Sequence, residues 1–189
     1  MQKVFFNIGS EPMTLEEFSA FNELPENKSR RFEFIDGLIY VMASPSSMHS
    51  KIVGYVSRKI GNYLEGKTCE VYTGLDVHFL GEDGETDVLC PDIFINCLRD
   101  RIAKNFCNGS PELIIEVISP SSRKDDVYFK RSYYLDHGVK EYWTIDYEKN
   151  HIRVYTADSK KDYTFADTVR IGILDDMHID FLEFMRLTK

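Results

Sequence analysis

Two carboxylates stand where a folded chain has little use for them. Asp92 follows Pro91 within Val88-Leu89-Cys90-Pro91-Asp92-Ile93-Phe94-Ile95, and Glu116 lies within Leu113-Ile114-Ile115-Glu116-Val117-Ile118-Ser119. Each is a lone acid in a run that otherwise belongs to a core. Burying an unpaired carboxylate costs several kcal/mol, so each must sit at a sheet end, be paired, be protonated or hold a metal. Two such acids on adjacent strands could share one divalent ion. The competing expectation is that each pairs with an arginine or caps a loop.

Four further residues bear on that choice. Asp126 and Lys130 are four apart, so on a helix they share a face. Such a pair is either a surface ion pair worth a few tenths of a kcal/mol, or Lys130 turns to the sheet and stabilises a developing anion. Glu33 lies between Phe32 and Phe34 and faces opposite to them, which by alternation alone predicts a solvent-facing side chain. His49 opens a long helix and reads as a capping or surface histidine unless it serves the acids. No G-x-S-x-G elbow and no phosphate-cradling glycine loop is present, so nothing points to a nucleophilic side chain.

The elements that must position these groups can be read from punctuation and period. Thr14-Leu15-Glu16-Glu17 is a capping box opening a short helix that ends near Leu24-Pro25. Arg31 to Ile35 and Leu38 to Met42 flank Asp36-Gly37, a strong hairpin signal. From His49 to Leu64, apolar residues recur at helical spacing, with Gly66 placed to stop the helix. Strand-like runs follow at Cys69 to Tyr72, Asp76 to Leu80, Val88 to Cys97 and Leu113 to Ile118. The last two are almost continuously apolar, as strands covered on both faces are. Asp125 to His137 predicts a second long helix closed by Gly138. Glu141 to Tyr147, Ile152 to Thr156, Tyr163 to Phe165 and Val169 to Ile173 predict more strands, and Phe181 to Leu187 a closing helix. This order predicts an α/β fold, one domain over residues 1–189 built on a central mixed β-sheet flanked by helices.

Composition sets the outer limits. The chain has 189 residues, 43% hydrophobic and 29% charged, the balance of a globular protein with one proper core. No apolar run approaches the roughly 20 residues that span a bilayer, and the first residues do not resemble a secretory signal, so a cytoplasmic protein without a membrane partner is expected. The net charge of −8 argues against a protein that coats nucleic acid non-specifically. It leaves room for acids gathered at a metal site. The bases cluster locally, as in Lys28, Arg30 and Arg31. Cys69, Cys90, Cys97 and Cys107 form no C-x-x-C pair, so buried apolar thiols are expected in place of zinc ligands or disulfides.

An ordered set of short motifs carries more specific information. Glu33 precedes Phe34-Ile35-Asp36-Gly37; Ser44-Pro45, His49 and Pro91-Asp92 follow. Then come Gly109-Ser110-Pro111-Glu112-Leu113-Ile114-Ile115-Glu116-Val117-Ile118-Ser119-Pro120-Ser121-Ser122, Asp126, Lys130, Tyr134 and Gly138-Val139-Lys140-Glu141-Tyr142-Trp143. From about Thr14 onward this set resembles the PD-(D/E)XK nuclease superfamily, and more closely the endonuclease family called Uma2. The resemblance implies a restriction-endonuclease-like fold and a phosphodiesterase acting on DNA with Mg²⁺ or Mn²⁺. It implies that Asp92, Glu116 and the Val117 carbonyl hold the ion, and that Lys130, Glu33 and His49 complete the catalytic set. The lysine expected two residues after Glu116 is Ile118 here, and Lys130 stands in for it. A homodimer fits an enzyme that cuts two strands. An inert nuclease-fold module that binds nucleic acid or a protein, and a purely structural protein with salt-bridged acids, are the alternatives.

Overall fold

The computed structural model describes residues 12–81, 84, 86–118 and 124–188. The first helix, α1 (Leu15–Glu23), begins at the expected capping box: Thr14 Oγ1 accepts from the Glu17 N–H, and the Glu17 carboxylate accepts from the Thr14 N–H. It lays Phe18 on the hairpin of β1 (Phe32–Ile35) and β2 (Leu38–Val41), where Phe18 stacks on Phe34. Asp36 and Gly37 turn the hairpin with φ of 50° and 74°. Two successive positive φ values match the right-handed twist of paired strands.

The helix α2 (Ser47–Leu64) starts at a Ser46 cap whose hydroxyl accepts from the His49 N–H. After it come β3 (Glu70–Thr73), β4 (Asp76–Leu80), β5 (Thr86–Leu89), β6 (Ile93–Asn96), β7 (Phe106–Asn108) and β8 (Leu113–Ile118). Helix α3 (Lys124–Asp136) then leads to β9 (Glu141–Asp146), β10 (His151–Tyr155), β11 (Lys160–Tyr163), β12 (Thr168–Arg170), β13 (His178–Asp180) and α4 (Phe181–Leu187).

The architecture is mixed α/β, as expected, with a division that was not. Two mixed sheets replace one: β2-β1-β5-β4-β7 and β11-β10-β9-β8-β6-β3, with β12 and β13 as a separate pair. The run Val88 to Cys97, expected as one strand, is broken between β5 and β6, which belong to different sheets. Pro91 explains the break, since it has no N–H for a ladder and restricts the residue before it. The six-stranded sheet is covered on both faces. Ile93, Ile95, Leu113, Ile115 and Val117 pack with the apolar side of α2 and with Phe181 and Phe184 of α4. Phe94, Ile114 and Tyr142 pack with Val77, Phe79 and Leu89 of the five-stranded sheet and Tyr134 of α3.

Two cysteines depart from expectation. Cys69 and Cys97 are joined in a disulfide. The register pairs Glu70 with Asn96, so the next pair outward brings Cys69 against Cys97. Strand pairing produces this neighbourhood, and spacing along the chain does not disclose it. Cys90 and Cys107 are buried and unlinked, as apolar thiols should be. Among the described residues no helix is long and apolar enough to cross a membrane.

The turn gives a direct test of the hairpin. A Cβ on Gly37 would meet the Pro12 Cβ at 2.6 Å in addition to the left-handed φ. Gly37→Ala is expected to cost about 1–3 kcal/mol of unfolding free energy, measured by urea denaturation; an unchanged midpoint would show that the turn is not held as described.

Candidate active site

Asp92 and Glu116 meet because of strand register. Ile93 pairs with Ile115 across β6 and β8, and one step along that ladder sets Asp92 opposite Glu116. Opposite residues on an antiparallel pair point to the same face. The link is also direct, since the Val117 N–H donates to Asp92 Oδ2 at 2.8 Å. Pro91 therefore does two things: it ends β5, and it frees Asp92 from one sheet to stand at the end of the other.

Lys130 comes from α3, which crosses above these strands. Its ammonium lies 2.7 Å from Glu33 Oε1 and 3.0 Å from Glu116 Oε1, with the lysine 3% exposed. Glu33 is 2% exposed and also accepts from the Cys90 N–H at 3.3 Å. The expectation of a solvent-facing Glu33 is thus overturned. Alternation does place it opposite Phe32 and Phe34, but the second sheet and α3 cover that face too. Lys130 likewise is no surface helix residue, and the Asp126 side chain expected beside it lies outside the described residues. His49, at the start of α2, sets Nε2 3.1 Å from Asp92 Oδ2.

Sequence reasoning gave no role to Tyr134, which the fold brings into this cluster. Its hydroxyl donates to Glu116 Oε1 at 3.0 Å, and burial pushes its pKa well above that of an ordinary tyrosine. It is therefore a fixed neutral donor. The available signal was its place four residues after Lys130, on the same helix face. Behind the cluster, burial raises the carboxyl of Asp76, while the Cys90 thiol and Arg31 pull it down.

Asp92, Glu116, Val117, Lys130 and His49 all line one cleft of ≈ 580 Å³. Glu33 lies behind Lys130, outside that lining. Both acids are paired, Glu116 with a lysine and Asp92 with a histidine and a backbone N–H, where arginine partners were the competing expectation. Among the described residues no three His, Cys, Asp or Glu side chains form a ready cation cage. The donor set nevertheless fits Mg²⁺, which commonly takes only one or two protein carboxylates and keeps waters. Two carboxylates line the cleft from opposed strand positions, and Val117, which carries a hard carbonyl oxygen, lines it beside Glu116. The local charge fits as well, with Glu33 and Glu116 on the Lys130 ammonium and Asp92 lining the same cleft.

The mixed α/β architecture is that of a solved nuclease-like fold. The chain belongs to the Uma2 family, whose model, described as "Putative restriction endonuclease", matches residues 16–174. It is 34% identical over 103 residues to the uncharacterised protein slr1290 of Synechocystis sp.. That match takes in 53% of this chain and 52% of the relative, so the chain spans about half the length of that curated relative. The fold matches a crystal structure described as "a putative nuclease belonging to DUF820" from Anabaena variabilis, with a TM-score of 0.74 and 22% identity. The match covers 92% of this chain and 99% of that one.

Removing the ammonium leaves two buried carboxylates uncompensated. Lys130→Met is expected to cost about 3–5 kcal/mol, read by urea denaturation, and adding Glu33→Gln should restore part of that loss. A loss under about 1 kcal/mol would be surface-pair behaviour and contradict the burial of Lys130.

Proposed function

We propose that this protein is a metal-dependent endonuclease that hydrolyses phosphodiester bonds of DNA, with the whole chain acting as one nuclease-like domain. The observation that carries the reading is the placement of Asp92 opposite Glu116 at the floor of a cleft, with the Lys130 ammonium against Glu116. Asp92, Glu116 and the Val117 carbonyl would hold Mg²⁺ or Mn²⁺. Such an ion supplies Lewis-acid charge to phosphate oxygens and makes water a better nucleophile at neutral pH.

The remaining work belongs to the chain's own residues. A phosphodiester resists attack because its negative charge repels nucleophiles, and the pentacoordinate transition state carries still more charge. Lys130 presents a fixed positive charge at the cleft wall to meet it. Because Glu33 and Tyr134 are already in place around it, that charge needs no reorganisation as the reaction proceeds. Lys130 thus fills the role that Ile118 cannot. His49 and the Val117 N–H both bond Asp92 Oδ2, which fixes the rotamer of that carboxylate and directs its other oxygen. Glu33 is a positioning residue that acts through Lys130. The family description and the nuclease fold neighbour support the same reading.

Asp92→Ala and Glu116→Ala are each expected to reduce plasmid cleavage in Mg²⁺ or Mn²⁺ by about 10²-fold or more. Circular dichroism should show the fold retained, and calorimetry should show weaker ion binding. Cleavage undiminished in both variants would refute the proposal. A wild-type protein that binds no ion at millimolar concentration and cuts nothing would favour the inert module.

A further inference from the structure

The cleft does not end at the carboxylates. It continues between residues 29–31, residues 42–45 and the outer side of α2. The chain carries a net charge of −8, yet among the described residues the acids of the cleft lining are Asp92 and Glu116, both at the end read as catalytic. The extension is lined by Arg30, Arg31 and serine hydroxyls, with Met42, Ala43, Pro45 and Val53 between them. Arg31 is tied down, donating to the Gly74 carbonyl. That approach is close enough that a Cβ on Gly74 would meet its Nη1 at 2.8 Å. Arg30 is exposed at the same wall.

Gly54 lines the extension from α2. Glycine inside a helix is worse than alanine by roughly 1 kcal/mol, so its presence needs a reason. Packing supplies none: a Cβ built on Gly54 meets nothing within 4 Å. Nor does backbone conformation, since Gly54 lies within regular helix with no left-handed φ. What the missing side chain does is leave the cleft wall bare, so that another backbone can come close.

We infer that this extension is the track of the polynucleotide backbone flanking the scissile bond, with Arg30 taking a phosphate and Gly54 leaving room for the sugar-phosphate chain. The inference rests on the nuclease reading above and adds where the substrate strand runs. The cation and hydroxyl lining suits a chain of phosphates, because contacts of this kind position a strand without reading its bases. The net acidity of the rest of the chain then disfavours binding elsewhere and leaves this lane as the favourable one.

The test measures binding apart from cleavage, using the full chain and a fluorescein-labelled single-stranded DNA oligonucleotide in EDTA across a salt series. Arg30→Ala is expected to weaken binding and lower the slope of log K against log salt by about 0.7. Gly54→Leu, which puts a side chain into the track, should weaken binding about tenfold or more. Gly54→Ala serves as the folding control and should melt above wild type. If the wild type binds DNA and both Arg30→Ala and Gly54→Leu match it, the track is wrong while the proposed function stands. A Gly54→Ala protein that melts below wild type would show the glycine to be structural and overturn its assignment here. A wild type that neither binds DNA in EDTA nor binds or cuts it in Mg²⁺ overturns the track and the proposed function together.

Discussion

One ammonium group holds the centre of this protein. Lys130 is withdrawn from water between Glu33 of one sheet and Glu116 of the other. In bulk solvent such a pair contributes little, but where water is excluded the loss of the ammonium leaves two carboxylates without their shared counter-charge. The three residues come from β1, β8 and α3, so the ion cluster also joins the two sheets and the helix across them. Tyr134 and the Cys90 N–H supply the hydrogen bonds that a buried ion pair needs around it.

The same cluster leaves a charge imbalance that shapes the cleft. Asp92 adds a third carboxylate beside Glu116 at the point where the chain passes from one sheet to the other. Its Oδ2 is held by the Val117 N–H and by His49, which keeps it from swinging into solvent. Stability alone would be better served by apolar side chains of similar volume in such places. The acids stand there despite that cost, each held by a partner: Glu116 by Lys130, and Asp92 by His49 and the Val117 N–H.

Pro91 links the fold to the site more closely than its size suggests. By ending β5 it lets a single apolar run serve two sheets, and by starting the crossing it presents Asp92 at a strand end, where a side chain can reach a cleft. The disulfide between Cys69 and Cys97 then closes the outer edge of the same sheet, tying β3 to β6, the strand that Asp92 leads into.

Much of this was legible in order along the chain. The capping box at Thr14, the Asp36-Gly37 turn, the helices carrying His49 and Lys130, and the oddity of acids at 92 and 116 all follow from local rules of capping, turn chemistry and periodicity. The motif order also pointed to the right family. Hidden were the facts that depend on what covers a face or stands across a ladder: that Glu33 is buried, that the run through Pro91 changes sheets, that Tyr134 joins Glu116, and that Cys69 meets Cys97. Period and propensity report which side of a strand or helix a residue occupies. Whether that side meets water, a partner strand or an opposing charge is settled only when distant segments pack, because burial and pairing energies belong to pairs of elements and not to either one alone.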